Sequence, residues 1–212
     1  MRKYFYNPPK ILKAMFTNTA WETNCGKLLL TFDDGPSETT TNKILKKLDE
    51  HNIKALFFCV GEKLQKHPEL TQQILDSGHA IGNHTWHHKR IRDYDRQERY
   101  SGLTQFNDQV KKDYDYAIKY FRPPYGRIFP HQTKKLSELN MTTVMWSLLT
   151  YDYQSNLDKV KFSIKHYLQS NSIVVMHDSK KTEKIVEESI DYLVEIASSR
   201  NYKFGTPDEC LK

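Results

Sequence analysis

Apolar and β-branched residues along the chain gather in short runs, separated by longer polar stretches with helical spacing. The runs cover residues 28–32, 55–60, 80–84, 120–122, 143–146 and 173–176. Between them, residues 39–51 carry Ile44, Leu45 and Leu48 on one stripe. Residues 68–77 carry Leu70, Ile74 and Leu75, with Pro68 in the first turn and Gly78 as a stop signal. Residues 181–199 align Ile185, Val186, Ile190, Leu193, Val194 and Ile196 on a broader stripe. Strand runs alternating with amphipathic helices predict an α/β fold around a parallel sheet, either doubly wound or curled into a barrel. The strands read as continuous apolar runs because both faces of the sheet would be covered. No repeat, low-complexity tract or long linker divides the chain, so a single domain is expected, with residues 1–26 as an arm packed on it.

Length and charge narrow the class. The chain has 212 residues, enough to bury a core without disulfide or metal support. Its net charge of +6 invites a nucleic-acid reading. The basic residues, however, cluster at 43–47, 111–112, 134–135 and 180–184, mostly on expected helix surfaces, and no RNP, zinc-finger or helix-turn-helix signature accompanies them. No nucleic-acid partner is expected. Three cysteines (Cys25, Cys59, Cys210) cannot all pair and form no CxxC, which excludes a zinc ribbon or a thioredoxin-type redox pair. Lys10 and Lys13 interrupt the segment after Met1-Arg2-Lys3, and no apolar stretch there resembles a signal peptide. The longest apolar run, 55–60, is far shorter than the ~20 residues a bilayer requires. No transmembrane segment and, by default, a cytoplasmic location are expected, with contact to a membrane surface or export by another route left open.

Polar groups concentrate where the strand runs end. Asp33-Asp34-Gly35-Pro36 follows the first run, at the edge where open α/β and barrel folds place their sites, although Asp-Gly alone also reads as a turn. Four of the nine histidines lie between His79 and His88. One helical turn would bring His84 and His88 to the same metal, and His84 with His87 is the alternative at i,i+3. Two imidazoles beside Asp34 have the composition of a three-ligand catalytic site with an open position. Asp33 would then remain free as a base toward water. Arg122-Pro123-Pro124-Tyr125-Gly126 follows the fourth run, as a rigid loop or as a wall that lets the backbone approach a ligand at Gly126. His177 closes the sixth.

These residues resemble a known family. Thr-Phe-Asp-Asp-Gly-Pro, His-Thr-x-x-His, Arg-x-Pro-Tyr-Gly and a late apolar-x-His, in this order over about residues 27–205, resemble the polysaccharide deacetylases of carbohydrate esterase family 4, the NodB-homology domain. The resemblance implies a distorted (β/α) barrel of about seven strands, with residues 27–212 as the catalytic domain. It implies metal-dependent removal of acetyl groups from N-acetylated, or O-acetylated, sugars in chitin oligomers, peptidoglycan or a related glycan. Position by position, it implies Asp33 as general base, with Arg122 pairing it. Asp34, His84 and His88 are the implied metal ligands, with Thr85 steadying their loop and His87 a solvent-facing bystander. The Tyr125 N–H is the implied oxyanion donor, and His177 the general acid oriented by Asp152. The implied metal is divalent, zinc first, with cobalt or nickel alternatives. Leu149 and Tyr153 depart from the family, which usually carries Asp and Trp there. With Pro124 and Met176, they are the expected substrate pocket. The competing readings are a catalytically silent carbohydrate-binding domain on the same fold and an amidohydrolase for a small acetylated metabolite. Oligomeric state is not legible.

Overall fold

A computed structural model describes residues 6–16, 18–94 and 98–211 of the chain. Met1 to Phe5, the basic start of the expected arm, lie outside the described residues. In chain order the elements are α1 (Lys10–Ala14), β1 (Thr19–Ala20), β2 (Leu29–Asp33), α2 (Thr41–Glu50), β3 (Leu56–Cys59), α3 (Gly61–Lys66), α4 (Pro68–Asp76), β4 (Ala80–Asn83), α5 (Glu98–Tyr114), β5 (Tyr120–Phe121), α6 (Pro130–Glu138), β6 (Thr142–Val144), β7 (Leu148–Leu149), α7 (Leu157–Tyr167), β8 (Ile173–His177), α8 (Val186–Ser199) and α9 (Pro207–Cys210). The eight strands form one parallel sheet in the order β1-β6-β5-β4-β3-β2-β8-β7. It is a curled half-barrel, one strand larger than expected, because β1 and β7 are two-residue strands too short to show an apolar run.

Strand alternation sorts the core into two layers. Leu30, Phe32, Phe57, Ile81, Phe121, Val174 and Met176 face outward and bury the apolar stripes of α2, α4, α7 and α8. Leu29, Phe58, Val144 and Ile173 face inward, where Cys210 of α9 closes the lower end. Cys59 is wholly buried, while the Cys25 and Cys210 thiols meet at 3.1 Å. The N-terminal segment is part of this architecture. β1 pairs with β6, the Tyr6 carbonyl accepts the Leu149 N–H at 2.9 Å, and the Tyr6 ring stacks on Tyr167.

Candidate active site

The alternation that builds the core also selects the site. In the β2/β8 pair Asp33 lies in register with His177, and the inward face runs Leu29, Thr31, Asp33 on one strand and Ile173, Val175, His177 on the other. Both side chains therefore emerge at the C-terminal rim of the curled sheet, in one cleft of about 690 Å³. Asp34, His84, His88, Tyr125, Leu149 and Tyr153 line the same cleft.

Asp34, with a positive φ of 75°, turns its carboxylate away from Asp33 and toward two imidazoles. Its Oδ1 lies 3.0 Å from His88 Nε2 and 3.6 Å from His84 Nε2, and the three donors fall within 4.8 Å of one another. His84 Nδ1 is fixed against the Arg122 carbonyl at 2.7 Å, which aims Nε2 at Asp34. One carboxylate and two imidazoles converging in this way suit a divalent cation that keeps an open position. Burial opposes charge on Asp34, but hydrogen bonds from His84 and His88 hold its carboxyl far below the usual carboxylate range. The expected helical turn between the histidines is absent. Thr85 and His88 both take positive φ, 67° and 54°, so an irregular loop makes the i,i+4 pairing. Asn83 Oδ1 accepts the Thr85 N–H at 2.8 Å and braces that loop. His87 turns out to Glu62 at the surface, which leaves it out of the cluster.

Asp33 is held from behind. Arg122, fully buried, donates from Nη1 to Asp33 Oδ1 and to Thr31 Oγ1, both at 2.7 Å. Its Nε and Nη2 donate to the Val144 and Met145 carbonyls at 3.0 and 2.8 Å, and the guanidinium stacks 4.1 Å over Phe58. His177 has a separate partner. Asp152 accepts the His177 backbone N–H at 2.6 Å, and its other oxygen faces His177 Nδ1 at 2.7 Å. Burial by itself pushes the imidazole pKa down, and the Asp152 carboxylate outweighs it, raising His177 to about 9.

Two members of the expected pocket lie elsewhere. Met176 is fully buried among the outer core residues, because its neighbours Val175 and His177 take the inward face. Pro124 is buried behind the turn, and Tyr125 and Gly126 line the cleft in its place. Gly126 makes room for Trp146 in the cleft wall, since a Cβ there would meet the Trp146 ring. The Tyr125 backbone sits at φ 61° beside the cluster, with its ring 4.8 Å from His88.

Sequence reasoning missed Asp178. It is fully buried and accepts hydrogen bonds from Thr40 and Thr41 at 2.5 and 2.6 Å, and its N–H bonds the Asp33 carbonyl at 2.8 Å. Its Oδ2 occupies the space that a side chain at Gly35 would take. Burial raises its carboxyl to about 6 against the pull of the two hydroxyls. Its place directly after His177 is the signal that could have found it.

Residues 21–144 match the family model described as polysaccharide deacetylase. The chain belongs to that family. A peptidoglycan-N-acetylglucosamine deacetylase of Bacillus cereus is 35% identical over 157 residues, which cover 74% of this polysaccharide deacetylase chain and 57% of the relative. The match thus spans a little over half of that curated protein. A crystal structure of a peptidoglycan N-acetylglucosamine deacetylase superposes with a TM-score of 0.88 at 28% identity, covering 96% of each chain. A mutant of a CE4 family pseudoenzyme with restored activity, 25% identical, superposes with a TM-score of 0.80 over 92% of this chain and 71% of that one.

Proposed function

We propose that this polysaccharide deacetylase domain hydrolyses the acetyl groups of N-acetylated sugars in an oligo- or polysaccharide, releasing acetate. The observation that carries the reading is one cleft holding an Asp/His/His donor set, a carboxylate paired with a buried arginine and a histidine paired with a buried aspartate. A divalent metal, zinc by the donor set, supplies Lewis acidity and makes a water nucleophilic near neutral pH when held by Asp34, His84 and His88.

The chain's own groups divide the remaining work. Arg122 pairs with Asp33 and orients it, and Asp33 takes the proton from the attacking water. The Tyr125 N–H donates to the oxyanion that develops on the acetyl oxygen, a contribution worth about 2.7–4 kcal/mol for one such donor. His177, kept protonated by Asp152, passes its proton to the departing sugar amine. Leu149, Tyr153, Val175 and Trp146 give the acetyl methyl an apolar seat and exclude bulk water.

Acetate release from a chitin oligomer, by metal-loaded protein against a chelator-treated control, tests the reading. Chelation is expected to abolish release, and zinc to restore it. Metal binding without acetate from any acetylated glycan would replace the enzyme with the silent carbohydrate-binding reading.

A further inference from the structure

The cleft carries charge that its chemistry leaves unused. Lys63, Lys180 and Lys181 stand on its wall along with Ser179. Each carboxylate at the centre already has its own cationic or imidazole counterpart. Asp33 pairs with Arg122, Asp152 with His177, and Asp34 with His84 and His88. Among the described residues the cleft lysines form no ion pair, although the Lys63 charge acts on the buried Asp178 carboxylate. Lys63 Nζ donates to the Asp34 carbonyl at 2.6 Å, and among the described residues no carboxylate pairs with Lys63, Lys180 or Lys181. Some surface lysines elsewhere, among them Lys47, Lys111, Lys119, Lys135 and Lys161, each meet an Asp or Glu.

The segment that carries Lys180 and Lys181 is anchored. Thr182 Oγ1 donates to the His177 and Ser179 carbonyls at 2.8 Å, the Thr182 N–H adds a 2.9 Å bond to the Ser179 carbonyl, and Ser155 Oγ donates to the Lys181 carbonyl. The turn is thereby tied to the strand end that presents His177. Beside it, Ser179 Oγ is shielded from solvent with no hydrogen-bond partner among the described residues. Unmatched cations and an unpaired hydroxyl on one wall call for an anionic, hydrogen-bonding group from outside the chain.

We propose that Lys63, Ser179, Lys180 and Lys181 form an anion subsite beside the reacting sugar, which takes a carboxylate carried by the acetylated glycan. The inference rests on the deacetylase reading and deepens it, since a neutral polymer offers these lysines nothing to pair with. A lactyl ether on an amino sugar, as in N-acetylmuramic acid, presents such a carboxylate.

Three probes separate charge from shape: a tetrasaccharide alternating N-acetylglucosamine and N-acetylmuramic acid, its methyl ester, and neutral chitotetraose. For wild type, kcat/KM is expected to favour the free acid over its ester, and the preference to shrink as salt rises from about 0.05 to 0.5 M. Lys180→Gln/Lys181→Gln is expected to lower the acid-to-ester ratio about tenfold, mainly through KM, as two partly exposed ion pairs would. An unchanged ratio, or a wild type that treats acid and ester alike, overturns the subsite. Calorimetric Kd values on the same panel score the lysines without turnover, so loss of the deacetylase reading and loss of the subsite remain distinguishable.

Discussion

Replacing Arg122 with Ala should damage the fold before it damages the chemistry. The guanidinium makes four hydrogen bonds in a fully buried position, to the Asp33 carboxylate, the Thr31 hydroxyl and the Val144 and Met145 carbonyls. Truncation leaves Asp33, whose side chain is 8% exposed, as a buried charge without a counter-ion. Removing one member of a buried pair costs about 3–5 kcal/mol, and each stranded carbonyl adds its own desolvation penalty of about 1–3 kcal/mol. These terms overlap, so a total of about 5 kcal/mol is expected, which for a chain of this size lowers the melting temperature by roughly 10–20 °C. Calorimetry of Arg122→Ala, Asp33→Asn and the double variant closes a thermodynamic cycle. The double variant should be much less destabilised than the sum of the two, with a coupling of at least about 2 kcal/mol, because the Asn leaves no charge to strand. Additive effects, or a single variant melting within about 3 °C of wild type, would refute the argument that Arg122 acts by neutralising Asp33.

Asp152→Asn tests the acid. His177 has a folded pKa of about 9, above the ~6.5 of a free imidazole, so the pair's stabilisation is present below about pH 6.5 and is lost as pH rises through 9. Urea titrations should show a deficit of about 3 kcal/mol for the variant at pH 6, closing by pH 9. The alkaline limb of kcat/KM should move to lower pH with it, and a deficit constant across this window would contradict the assignment. Gly35→Ala tests the support beneath the site. The added Cβ would lie 2.3 Å from Asp178 Oδ2, so Asp178 must leave Thr40 and Thr41 or the Asp33–Asp34 segment must move. A loss of about 1–3 kcal/mol in stability, and a fall in kcat larger than any rise in KM, is the expected outcome. Wild-type thermal stability and kinetics would show that the segment yields freely.

The strand runs are visible in the sequence because a parallel strand covered by helices must be apolar, and the end of each run marks where polar residues can reach solvent. The hydrophobic pattern alone therefore places Asp33, Asp34, His84, Arg122 and His177 at strand ends. The shorter elements escape that pattern. β1 and β7 contribute two residues each, and their pairing partners are far along the chain. α5 spans seventeen residues that carry only three buried apolar side chains, Leu103, Phe106 and Val110, too few to stand out. Met176 is misplaced by the pattern because apolar character does not say which face of a strand a residue takes, and only the register with β2 settles it.

The sequence by itself determined the residue types, their order and the class of chemistry they permit. A carboxylate doublet, a spaced histidine pair, a lone arginine and a late histidine each follow a strand run, and their order is that of one family. Tertiary structure decided which groups meet. The backbone turned left-handed at Asp34, Thr85 and His88 to bring three donors together without the helical turn that their spacing suggested. The curled sheet brought Arg122 under Asp33 from 89 residues away, and it gathered Lys63, Lys180 and Lys181 on the wall of one cleft. Charge balance of this kind is a property of three-dimensional neighbourhoods, because Coulomb attraction and desolvation depend on distance and burial and not on position along the chain.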